Sequence, residues 1–247
     1  MKKPATTIVV GAVVVGTMAI AVTAARRANR NETPCTAGFV RKGPRCLGPA
    51  PAPRVVDIPA REVTIGPSDW EAEGRVASRL IKTKPFRLDA YEFLDGERPM
   101  FGVTLERARA LCKERGGRLP TEDEWIVAAA GAGDKPRRYP WGNTGAVCLR
   151  AAFGLKEGPC ARGADGPDTA GAHPDGATPE GINDLAGNVA EWVETGTSEA
   201  VVRGGSWDTM LATELRTWVR RSVPPDTKDP TIGFRCAYDV ATPSGPR

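Results

Sequence analysis

Glycine and proline set the tightest limit on what this chain can fold into. There are 28 glycines and 22 prolines among its 247 residues, and both interrupt regular structure, proline by lacking an N–H and glycine by favouring turns. Long helices are thereby excluded over most of the sequence, and a loop-rich domain of short antiparallel strands is expected. Two stretches escape the punctuation. Residues 105–115 carry Leu105, Ala108, Leu111 and Cys112 at helical spacing and stop at Gly116 and Gly117. Residues 122–130 follow Thr121, whose hydroxyl can cap free N–H groups while Glu124 reaches back, and Gly131 supplies a terminator. Alternation of apolar residues from Val55 and Ile58 through Val63, Ile65, Phe86, Leu88 and Tyr91 predicts strands. The expected class is α+β with two main helices, and the length suits one principal domain.

The two ends have a different character. Residues 6–25 (TTIVVGAVVVGTMAIAVTAA) are uncharged and flanked by Lys2, Lys3, Arg26 and Arg27. That run is long enough to cross a bilayer, and Ala19 and Ala21 offer small residues for cleavage, so residues 1–30 fit both a signal anchor and a cleaved signal peptide. Residues 31–54, rich in proline and holding Cys35 and Cys46, are expected to form a stiff tether with a small cysteine loop. The folded domain is expected over 55–240, followed by a flexible tail over 241–247. The formal charge of +4 comes from the first thirty residues. Setting aside Lys2, Lys3, Arg26, Arg27 and Arg30 leaves 29 basic residues against 30 acidic ones, with no basic run or aromatic ladder, which excludes nucleic acid as a partner.

Five ordered segments carry a specific pattern: residues 118–125 (RLPTEDEW), 139–143 (YPWGN), 181–192 (GINDLAGNVAEW), 202–207 (VRGGSW) and 232–236 (IGFRC). In this order and spacing the chain resembles the formylglycine-generating enzyme family, also called sulfatase-modifying factor. The resemblance covers about Val55 to Asp239 and implies a variant of the C-type-lectin fold. Read physically, Trp125, Trp141, Trp192 and Trp207 are rings that fill gaps left by irregular backbone. A stretch that the family carries after a segment like residues 86–92 is missing, since the chain runs almost directly to Pro99 and Val103.

The resemblance implies copper-dependent oxidation only where two cysteines about five residues apart follow the Gly-Gly-Ser motif, because thiolates suit cuprous ion. Residues 206–215 (SWDTMLATEL) contain none; Thr209 and Leu211 or Ala212 fall at or beside the expected positions. The related ergothioneine-synthesising branch binds iron through histidines, whereas His173 is the one histidine here. Neither copper nor iron is expected. Ser206 lacks a nearby base for nucleophilic work, and Glu122, Asp123 and Glu124 are explained by the positive end of a helix.

The segment 184–191 resembles the family's calcium loop, which implies a structural calcium held by side-chain oxygens of Asp184 and Glu191 and carbonyls of Gly187 and Val189. A loop closed by hydrogen bonds of Asp184 and Asn188 accounts for the same residues without an ion. The family's other calcium loop is not recognisable around residues 150–165. Six cysteines without C-x-x-C spacing in a chain with an apolar leader fit three disulfides, although six cysteines alone allow many connectivities. The resemblance implies a bridge between Cys112 and Cys236, leaving Cys148 with Cys160 and Cys35 with Cys46 as local loops. The domain is then expected outside the cytoplasm, membrane-anchored, periplasmic or extracellular.

The functional expectation is an exported, non-catalytic binding or structural module, a pseudoenzyme meeting a protein, peptide or glycan ligand and attached to a membrane through its N-terminal segment. Its pocket is expected near Ser206, Trp207, Arg216, Arg220 and Arg221, where arginines could hold an anionic group. The competing expectation is an enzyme of the same family with altered chemistry on protein side chains; a carbohydrate-binding lectin rests on fold analogy alone.

Overall fold

The chain builds a four-stranded sheet, a three-stranded sheet and three two-stranded ladders around two helices, in a computed structural model that describes residues 35–66 and 78–240. Strands β1 (Val40–Lys42) and β2 (Arg45–Leu47) form a hairpin. Strand β3 (Val55–Ile58) precedes a two-stranded ladder of β4 (Arg61–Ile65) with β5 (Arg79–Thr83). Next come β6 (Phe86–Asp89) and the short pair β7 (Leu94–Asp95) and β8 (Arg98–Pro99). Helices α1 (Leu105–Glu114) and α2 (Glu122–Ala130) follow. A long loop then runs to β9 (Ala190–Val193), β10 (Val201–Arg203), β11 (Arg220–Ser222), β12 (Ile232–Gly233) and β13 (Ala237–Asp239). One sheet has the order β13-β6-β3, so the last strand lies beside the first strands of the domain. The other has the order β11-β10-β9-β12, with β12 parallel to β9.

Both helices start and stop for the reasons legible in their sequences. Thr104 caps α1 by accepting from Arg107 N at 3.2 Å. At α2 the reciprocal box is complete: Thr121 Oγ1 accepts from Glu124 N at 3.1 Å, and Glu124 Oε2 accepts from Thr121 N at 2.8 Å. Helix α2 is buried from Glu124 to Ala130, because its alanines let strands approach on every side. Trp125 and Ile126 pack there with Ile58, Val63, Ile81, Phe86 and Leu88. A second apolar cluster joins Leu105, Ala108 and Leu111 of α1 to Trp192, Ile232 and Phe234, and a third gathers Tyr139, Phe153, Leu155, Trp207 and Leu215 under the long loop.

Three disulfides close, Cys112–Cys236 as the resemblance implied and Cys35–Cys46 and Cys148–Cys160 as the remaining local loops. Disulfides of this kind persist in oxidising compartments. The stretch expected to be a tether is corrected over its described part. Cys46 is buried, its N–H donates to Asp168 Oδ1 at 2.8 Å, its carbonyl accepts from Thr169 N at 3.2 Å, and Arg54 O accepts from Ala90 N at 2.8 Å. The hairpin is thus docked on the domain. The expected membrane segment, the start of the tether and the tail over 241–247 lie outside the described residues. Among the described residues no helix is long and apolar enough to cross a membrane.

Candidate functional site

Strand β10 ends at Arg203, and Gly204 and Gly205 follow it where the chain bends and no side chain fits. Both have positive φ, 92° and 68°. A Cβ at Gly204 would sit 2.9 Å from Leu185 O, and one at Gly205 2.6 Å from Leu215 Cδ2. Beside the bend lies a groove of about 610 Å³ lined by Ala190, residues 202–206, residues 208–211, Glu214, residues 219–221, Asp229 and Thr231.

Ser206 lines this groove but is tied into the turn: its N–H donates to Thr209 Oγ1 at 2.8 Å and its hydroxyl lies within 3.4 Å of the same oxygen. Trp207 points away, buried in the third cluster with Nε1 donating to Pro230 O at 3.1 Å. Arg216 does not line the groove, whereas Arg220 and Arg221 do. Of the five residues expected to make a pocket, the structure therefore brings together Ser206, Arg220 and Arg221.

The arginines here are not a free anion site. Arg203 Nη2 meets Glu122 Oε1 at 2.6 Å, and Arg220 reaches the same oxygen at 2.9 Å and Glu199 Oε2 at 2.9 Å. Burial pushes the Glu122 carboxyl up, but the two guanidinium groups outweigh it and hold the acid below its usual range. Asp208, Glu214 and Asp229, which the sequence reading did not single out as groove residues, face the same space. Glu214 stands five positions after Thr209, the only signal that could have found it. Asp229 had none.

The loop at 184–191 is organised around Arg235. Asp184 and Asn188 both adopt φ of 58°, Asp184 Oδ2 accepts from Gly171 N at 2.6 Å, and Asn188 Nδ2 donates to Glu92 Oε1 at 3.0 Å. Glu191 is fully buried and accepts from Arg235 Nη2 and Nε at 2.6 and 2.8 Å and from Trp125 Nε1 at 2.8 Å. Its negative charge is balanced by a guanidinium, so a calcium ion in this loop would sit beside a fixed cation with one uncommitted carboxylate to face. Calcium takes several hard oxygens and needs their charge, and of the two expected side-chain ligands Glu191 already faces Arg235. Among the described residues no group of three His, Cys, Asp or Glu side chains is placed to hold a metal. Sequence reading also missed Glu92, whose Oε2 is buried without a partner. Burial, then the nearby Asp184, pushes its carboxyl well above the usual range.

Residues 92–240 match the family described as the sulfatase-modifying factor enzyme 1-like domain. This chain belongs to that sulfatase-modifying factor family. Within it, the chain is 37% identical over 163 residues to the inactive C-alpha-formylglycine-generating enzyme 2 of Bos taurus, covering 60% of this chain and 53% of the relative. It is 30% identical over 210 residues to hercynine oxygenase of Mycolicibacterium smegmatis, covering 71% of this chain and 44% of that protein. The chain thus spans about half the length of the curated relatives it matches. The solved structure of PvdO from Pseudomonas aeruginosa shares the fold, with a TM-score of 0.61 at 19% identity over 75% of this chain and 94% of that one. A variable protein of Treponema denticola also shares it, with a TM-score of 0.58 at 17% identity over 76% of this chain and 99% of that one.

Proposed function

We propose that this sulfatase-modifying factor domain is an exported, non-catalytic binding module whose groove beside β11 receives a ligand. One observation carries the reading: every described cysteine is in a disulfide, and the stretch that follows Gly-Gly-Ser places Thr209 and Leu211, not thiols, in the groove lining. Other nucleophilic chemistry lacks its parts. The Ser206 hydroxyl serves its own turn, and His173 is buried against Asp168 outside the groove. The bovine relative that its name calls inactive supports the same conclusion. Export rests on the disulfides and on the apolar stretch at residues 6–25, which also supplies the proposed membrane attachment.

The purified chain, incubated with copper and a sulfatase-type cysteine peptide, is expected to leave the peptide mass unchanged. The mass loss of formylglycine formation would overturn the non-catalytic reading.

A further inference from the structure

We infer that the β1–β2 hairpin lies on an anionic phospholipid surface, an inference that rests on the membrane attachment of the preceding reading. Basic charge is concentrated at this end of the chain. Residues 26–48 hold Arg26, Arg27, Arg30, Arg41, Lys42 and Arg45 against the single acid Glu32, whereas residues 49–247 hold 26 basic and 29 acidic residues. An anionic surface therefore attracts this end of the chain and not the remainder. Cys35 stands nine positions after Arg26. A chain that enters a bilayer through residues 6–25 thus keeps Cys35 within roughly 30 Å of the surface, since an extended residue spans at most about 3.5 Å. The Cys35–Cys46 disulfide fastens the end of that connector to β2.

The hairpin sorts its side chains by face. Directly opposed residues of an antiparallel pair share a face, and neighbours along each strand alternate. The pairings Val40↔Leu47 and Lys42↔Arg45 therefore fall on one face and Arg41↔Cys46 on the other. Cys46 is buried, with its N–H on Asp168, which makes its face the inward one. The outward face sets an apolar pair beside a pair of cations, with Val40 59% exposed and Lys42 exposed. Two cations directly opposite each other repel and weaken so short a ladder. The carboxylate paired with Arg45, that of Asp165, stands 3.8 Å away and is itself 81% exposed. Lipid phosphates supply the anions that this cation pair lacks, while Val40 and Leu47 enter the headgroup boundary. The Gly48 N–H donates to Thr169 Oγ1 at 3.1 Å, so the domain holds the hairpin as a fixed platform.

The test is hydrogen exchange of the full chain reconstituted in phosphatidylcholine vesicles with and without phosphatidylglycerol. Backbone amides between Val40 and Arg45 are expected to exchange about fivefold more slowly in the anionic vesicles, while those of α2 exchange alike in both. Combining Lys42→Gln with Arg45→Gln is expected to remove that difference, with a melting curve to confirm that the variant folds. Equal exchange in the two vesicles, by a chain that floats with both, overturns the hairpin inference and leaves the membrane attachment standing. A slowing that survives in the variant overturns the part given to the cation pair. The same slowing brought about by soluble glycerol phosphate, with the chain in detergent, overturns the bilayer surface as the occupant. A chain that floats with neither vesicle overturns the attachment and this inference with it.

Discussion

Arg235 holds both carboxylate oxygens of Glu191 inside the core, Nη2 to Oε1 at 2.6 Å and Nε to Oε2 at 2.8 Å, with neither side chain exposed. The guanidinium also donates to Asn183 O at 2.8 Å and Asp89 O at 3.1 Å, so one side chain ties the closing strand to the 184–191 loop and to the end of β6. Replacing Arg235 with Met keeps most of the volume and leaves Glu191 buried without its cation. A loss of about 3 to 5 kcal/mol is expected in urea unfolding. A loss near zero would mean that Glu191 finds other partners or takes up a proton at little cost.

The same pair governs the calcium question. An ion entering between Asp184 and Glu191 has to displace Arg235 or accept it as a neighbour, and both options oppose binding. Melting curves recorded with calcium and with a chelator are therefore expected to coincide. A Tm that rises with calcium would show that the ion wins Glu191 from Arg235, and would restore the loop as a metal site.

The disulfides are predicted to differ in worth by the loops they close. Cys112–Cys236 spans 124 residues and pins α1 to the segment before β13, whereas Cys148–Cys160 spans 12. In the chain-entropy picture the long bridge stabilises by about 4 to 5 kcal/mol and the short one by about 3. Paired serine variants compared in urea should preserve that order. Equal losses would show that strain or residual structure in the unfolded chain sets the stability instead.

Much of the architecture was legible because it is locally encoded. Thr121 and Glu124 sit three apart before an apolar run, and the capping box forms; Gly131 ends the same helix with a φ of 90°. The groove was less legible because charge neutralisation is a tertiary fact. Arg220 and Glu122 are 98 residues apart in sequence, and nothing near Arg220 announces that its charge is already matched. Trp207 misled for a related reason. Its place beside Ser206 suggested a shared surface, yet the chain bends at Gly204 and Gly205 and the ring lies in the core. The tether reading failed because proline content describes local stiffness and is blind to a buried partner such as Asp168.

That partner gives the domain an acid-sensitive anchor for its N-terminal hairpin. Asp168 faces His173 Nε2 at 3.0 Å, accepts from Arg162 and receives the Cys46 N–H at 2.8 Å. Burial pushes its carboxyl up, but the bond to His173, the charge of Arg162 and the Cys46 N–H together hold it below its ordinary value of 3.8. The unfolded chain then binds the proton more readily than the folded one, so this contribution is complete above 3.8 and is lost as pH falls through the lower folded value. In Asp168→Asn the amide oxygen can still accept from Cys46, while the charge opposite Arg162 is gone. The variant is expected to be less stable at neutral pH, to lose stability less steeply in acid, and to exchange its Cys46 amide hydrogen faster. Parallel stability curves for the two proteins across the acid range would show that Asp168 does not carry the acid dependence.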